Sequence, residues 1–191
     1  MRSIKMLASL KNVIVCYLSV ALLSGCAALT GISPKYPEDW PSISSGSGDE
    51  CPDLSGRYQN LATYSFLPMA AANSLAFRLG AELKDADTVV LVFSSATLRV
   101  EALNSTGVIG EQLLSKENGD FSCSEGALVL PIVVDKNADG TGGYRSESRL
   151  YLRRALGGAL IGEERTSGIG AIFWLVPVGG WQTFWFQWEA I

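Results

Sequence analysis

Beyond Asp87 the chain carries the hydrophobic period of strands, and this restricts it to an antiparallel β fold. Thr88 to Phe93 is a continuous apolar, β-branched run, after which Ala96, Leu98, Val100 and Ala102 alternate with Thr97, Arg99 and Glu101. Such alternation buries one face of a strand and wets the other. In the next run, Ala127 to Val134, Pro131 marks an edge or a bulge, because it has no N–H to give to a ladder. From Tyr144 to Arg154, Arg145, Glu147, Arg149, Tyr151 and Arg153 share a face, with charges of alternating sign. Gly157–Gly158 and Gly179–Gly180 read as two-residue hairpin turns separating strands Ala159 to Glu164, Ala171 to Val176 and Thr183 to Glu189. Strands joined by short turns, with no helices alternating between them, predict a mainly β domain: an antiparallel meander forming a curled sheet or small barrel.

One helix is expected to pack on that sheet. Between Pro68 and Leu83, apolar residues fall at Ala72, Leu75, Ala76, Leu79 and Leu83, with Asn73, Arg78 and Glu82 off the stripe. The spacing has the 3.6-residue period, and Pro68 suits a first turn.

The N-terminus speaks of location. Arg2, Lys5 and Lys11 precede an apolar segment, Val13 to Leu23, of 11 residues. A membrane-spanning helix needs about 20, so the segment reads as a signal peptide. It ends in Leu23, Ser24, Gly25 and Cys26, which together resemble the lipobox of bacterial lipoproteins. The resemblance implies cleavage before Cys26, a diacylglycerol on its sulfur and a further acyl chain on the freed amine, palmitate being a typical chain. Two or more chains anchor a protein stably where one is marginal. In a two-membrane bacterium, Ala27 after the cysteine, rather than Asp, implies the outer membrane, and the periplasmic face is the expected side. The organisation that follows is a signal peptide at 1–25, a lipidated N-terminus and flexible linker at 26–50, and a single β-rich domain at 51–191.

Cleavage removes three basic residues, leaving 12 basic against 19 acidic, a net charge of −7. That balance disfavours nucleic acid and docking on anionic headgroups through a polybasic surface. Residues Ala27 to Glu50 are rich in Pro, Ser and Gly, and as a flexible coil they would span roughly 25–30 Å. Tyr36 and Trp40 within this stretch suit either the membrane interface or the surface of the domain.

Cys51 and Cys123 remain once Cys16 leaves with the signal and Cys26 is acylated. An even pair in an exported chain predicts a disulfide, with two separate buried thiols as the alternative. The segment Cys51, Pro52, Asp53, Leu54, Ser55, Gly56, Arg57, Tyr58 resembles the opening of a family of small bacterial lipoproteins that begin C-P-D-L-S-G-x-Y. It is also similar to the Gly-x-aromatic opening of lipocalin-like barrels. Pro52 and Gly56 frame a turn into a strand headed by Tyr58, which accounts for the pattern physically.

The chain has no histidine, which excludes Ser-His-Asp and Cys-His catalysis and imidazole-dependent zinc sites. Glu163 and Glu164 are adjacent, so on a strand they point to opposite faces and cannot converge as a catalytic pair; a solvated strand end is the expectation. Gly168 and Gly170 lie outside any nucleotide-binding fingerprint. Asp135, Asn137, Asp139 and Gly140 resemble the opening of an EF-hand loop. The twelfth position is Ser146, not a bidentate Glu, so a polar hairpin turn is the better reading and a weak calcium site the alternative. Near the C-terminus, Phe184, Phe186 and Trp188 fall on one strand face, expected to be core, while Trp185 points the other way. Trp185 is then either covered by the helix near Leu75 and Leu79 or, with Trp174, exposed as a contact for a ligand or partner. These features point to a non-catalytic, lipid-anchored envelope protein without a cofactor, with a binding or structural role and an unidentified envelope protein as its partner. The alternative is a lipocalin-like carrier of a small hydrophobic ligand in an apolar barrel interior.

Overall fold

Short turns between the apolar strands produce two antiparallel sheets. The computed structural model describes residues 34–44, 46, 48–64, 73–80, 85–173 and 175–191. The signal peptide, Cys26 and Trp174 lie outside the described residues.

The first sheet has the order β1-β3-β4-β5, from Gly56–Gln59, Thr88–Ser94, Thr97–Asn104 and Gly107–Ser115. The second has the order β2-β11-β10-β9-β7-β6, with β8 also paired to β9. Its strands are β2 (Thr63–Tyr64), β6 (Ser122–Ser124), β7 (Ala127–Val129), β8 (Val133–Asp139), β9 (Gly142–Arg154), β10 (Leu160–Ile172) and β11 (Val176–Trp188). The last residues join the two sheets: the Gln59 amide donates to the Glu189 carbonyl and the Ile191 amide to the Arg57 carbonyl. The mainly β, antiparallel expectation is met, as two sheets not closed into a barrel.

The described part of the predicted helix is one turn, α1 (Leu75–Arg78), capped by the Ser74 hydroxyl, which accepts from the Phe77 amide. Residues 68–72 and 81–83 of that prediction lie outside the described residues. Leu75 and Ala76 are buried in the main core beside Leu54, Tyr58, Val89, Leu98, Leu128, Leu152, Leu160 and Trp188. The alternation read in β4 holds, since Leu98, Val100 and Ala102 are all fully buried.

Two strand boundaries differ from the sequence reading. Pro131 splits the Ala127 to Val134 run into β7 and β8, which pair with successive stretches of the same edge of β9. Gly157–Gly158 does form a hairpin turn, where the Ala155 amide donates to the Ala159 carbonyl at 2.8 Å. Gly179–Gly180, in contrast, lies inside β11, paired with Ile169 and Gly168, and the β10–β11 ladder runs on to the pair Ile172–Val176. Glycine was an ambiguous signal there. It marks close backbone approach within a strand as readily as it marks a turn.

The disulfide is present. Cys51 and Cys123 have Cα atoms 4.9 Å apart across 72 residues of sequence, tying the entry to β1 to β6.

Candidate contact surface on the protruding sheet

Strands β9, β10 and β11 are each 13 residues long, but the core uses only their inner halves. Leu150, Leu152, Leu160, Phe186 and Trp188 sit in the core, whereas the outer halves continue with β8 as a four-stranded wing, residues 133–149 and 165–183. Every residue of β8 is exposed. At the tip, the Phe173 amide donates to the Thr141 carbonyl, tying the β10–β11 turn to the β8–β9 turn.

Strand alternation gives the wing two faces. The inner face continues the side packed on α1, and the register places Ser146, Tyr144, Gly168, Gly170, Val178, Asp135, Asn137 and Asp139 on it. The outer face carries Arg145, Glu147, Arg149, Ser167, Ile169, Trp181, Val134 and Lys136. Ile169 is 72% exposed and Trp181 56%; at the tip Leu175 is 84% exposed. Between Trp181 and Ile169, Gly168, Gly179 and Gly180 contribute no side chain, and an open depression of about 500 Å³ results. The wing's two free edges are blunted by Asp135 and Lys136 on β8 and by Pro177 on β11, which discourages strand addition and leaves the faces as its contact surfaces.

Where the outer face meets the body of the domain, it is covered from an unexpected direction. Residues 34–44, which composition assigns to the flexible linker, lie along it as a strap. Tyr36, Trp40 and Ile43 pack on Ala155, Ala159, Ile161 and Trp185. The Tyr36 ring meets Trp40 and Trp185 edge-on, and Trp185 Nε1 donates to the Pro34 carbonyl at 3.0 Å. The Ser44 hydroxyl and amide both donate to the Arg154 carbonyl. Trp185 is therefore neither under α1 nor free: the helix covers the opposite side, where Trp188 Nε1 donates to the Asn73 carbonyl and Arg78 lies over the Phe186 ring. Tyr36 and Trp40 settle on the domain because three apolar side chains in one short segment bury more favourably there than in water.

Glu163 and Glu164 point to opposite faces, as strand geometry requires, but they are not a solvated strand end. Glu164 holds Arg78 through two hydrogen bonds of 2.9 Å on the inner face. Glu163, only 8% exposed, accepts from Arg153 at 2.8 Å and from Arg165 at 2.6 Å on the outer face. Arg165 also reaches Glu125 and stacks over Tyr151, and its hydrogen bond to Glu163 raises its pKa further above the neutral range. These carboxylates are used in binding cations of their own chain.

Asp135, Asn137 and Asp139 sit on β8, so they share a face without wrapping around a point. Asp139 accepts from the Thr141 amide and hydroxyl, which lower its pKa, and closes the β8–β9 turn. Asp135 accepts from the Tyr144 hydroxyl, and that bond raises the Tyr144 pKa. Among the described residues no three Cys, Asp or Glu side chains are grouped to hold a metal ion.

A lipocalin-like carrier requires an enclosed apolar cavity. Here the space between the sheets is occupied by the fully buried Leu54, Tyr58, Leu75, Leu98, Leu128, Leu152, Leu160 and Trp188. The depressions on the wing are open to solvent, and Trp185 is covered by Tyr36. The wing, which sequence reasoning missed, had one legible signal: from Gly168 to Trp181 there is no polar or charged side chain, although two sheet faces cannot both be core at a hairpin end. The chain matches no protein-family model, no curated protein and no solved structure.

Proposed function

We propose that this protein is a lipid-anchored component of the bacterial cell envelope, held by Cys26 at the periplasmic face of the outer membrane, and that it acts by binding rather than catalysis. The observation that carries the binding role is the wing: a four-stranded sheet with apolar side chains exposed on both faces and no covering element among the described residues. Exposed apolar surface of this kind is costly to keep in water and commonly marks a contact site. A non-catalytic role is supported by the use of Glu163, Glu164, Asp135 and Asp139 in internal hydrogen bonds. The anchor rests on the lipobox resemblance of Leu23 to Cys26.

The test is expression of the full chain in a two-membrane bacterium fed labelled palmitate, beside Cys26→Ser. The expected outcome is label in the wild-type protein, none in the variant, and loss of the variant from outer-membrane fractions. Equal labelling of the two proteins would overturn the anchor.

A further inference from the structure

We infer that the outer face of the wing lies against the surface of the lipid bilayer that holds the anchor, with Trp181 and Ile169 at the interface. The inference deepens the proposed function and rests on acylation of Cys26.

The strap sets the distance. From Cys26 to Pro34 there are eight residues, and a chain of that length spans at most about 26–29 Å fully extended. Pro34 is fixed to Trp185 on the outer face, so the domain is tethered more closely than the 24-residue coil implied by composition would allow. From Trp185 to the end of β11 at Val176 is nine strand positions, about 30 Å. A wing standing upright on its tip would need the tether fully stretched. A wing lying on its outer face needs far less, because the tether leaves the domain on that same face.

Charge selects the same face. The wing carries four cations, Lys136, Arg145, Arg149 and Arg165, and the register places all four on the outer face, with Glu147. Asp135 and Asp139 lie on the inner face. Arg145 is paired with Glu147, and Arg165 with Glu163 and Glu125, so Lys136 and Arg149 are the excess positive charge of this face, beside the apolar Ile169, Gly179 and Trp181, in a mature chain of net charge −7. Tryptophan prefers the headgroup level of a membrane, and Lys and Arg beside it reach phosphate oxygens while their stems stay in apolar surroundings. The aspartates of the opposite face would meet phosphate repulsion and stay in water. A second copy of this chain fits less well, since matching outer faces would bring like charges together.

The test uses the full mature lipoprotein reconstituted into phosphatidylcholine vesicles, with and without brominated acyl chains, which quench only tryptophan in contact with lipid. Mass spectrometry first establishes the acyl chains on Cys26; their absence sinks the anchor and this inference with it. With the anchor verified, Trp181→Phe is expected to lose a substantial part of the bromolipid quenching. In that background Ile169→Trp restores it and Tyr144→Trp, on the inner face, does not. Unchanged quenching in Trp181→Phe, or equal restoration from both faces, overturns the inference while leaving the anchor standing. A detergent-solubilised dimer that Trp181→Phe dissociates, with no loss of bromolipid quenching, would assign the face to a second copy instead.

Discussion

At the scale of single residues, the segment from Cys51 to Tyr58 is a packing device. Cys51 is in the disulfide, Asp53 accepts from the Ser55 amide, and the Ser55 hydroxyl accepts from the Phe93 amide on β3. The bonds from Ser55 lower the Asp53 pKa. Leu54 is fully buried, and its carbonyl accepts from the Tyr58 hydroxyl at 3.0 Å. Gly56 is required because a Cβ there would stand 2.8 Å from that hydroxyl. Burial raises the Tyr58 pKa. The folded value then exceeds the unfolded one, so this contribution to stability is whole below about pH 10, the ordinary phenol value, and is lost as pH rises toward the folded value. Tyr58→Phe is expected to cost about 1–3 kcal/mol at neutral pH, because a buried carbonyl loses its donor. The gap from wild type should narrow in alkali, since the variant has no phenol to ionise. Urea unfolding at pH 7 and at pH 10.5 checks both parts.

At the scale of elements, β10 is where the two sides of the second sheet are balanced. Its inner face gives room: Gly162 lies beneath Trp188, and a Cβ at that position would come within 2.7 Å of the indole. The indole cannot move away easily, being fully buried and bonded to the Asn73 carbonyl. Gly162→Ala is therefore expected to destabilise by about 1–3 kcal/mol through overpacking, read as a lower urea midpoint and a changed near-ultraviolet tryptophan spectrum. An unaltered midpoint would mean the indole has freedom that its buried site does not suggest. The outer face of β10 is stitched instead by charge, through Glu163 to Arg153 and Arg165. Strand alternation sets the opposite directions of Glu163 and Glu164. It could not give their partners, because Arg78, Arg153 and Arg165 reach them through tertiary and cross-strand placement.

At the scale of the whole molecule, three long-range ties hold the chain ends to the sheets: the disulfide, the strap and the pairing of residues 189–191 with β1. The strap's passage past the β6–β7 turn is tight. Gly126 adopts a φ of +66°, and a Cβ there would fall 2.5 Å from the Gly46 carbonyl oxygen. Replacing both Cys51 and Cys123 by Ser is expected to lower stability by at most about 4 kcal/mol, the entropy of a loop this long in the chain-entropy model. Urea unfolding of the double variant beside the oxidised protein measures it, and a loss well under 1 kcal/mol would indicate that the strap and the C-terminal pairing already restrict the unfolded chain.

Hydrophobic period and turn residues are local properties, and they determined the mainly antiparallel β class, the Leu98, Val100, Ala102 face of β4, the Gly157–Gly158 turn and the core side of Phe186 and Trp188. They did not decide how far the strands outrun the core. Gly179–Gly180 has the same local chemistry in a turn as inside β11, and only pairing with Gly168 and Ile169 distinguishes the two. Nor did they decide that Tyr36, Trp40 and Ile43 would cover Trp185, because burial of a short segment depends on the surface that the rest of the chain offers it. The wing and the strap are thus products of tertiary structure, which brings together residues that no sequence period relates.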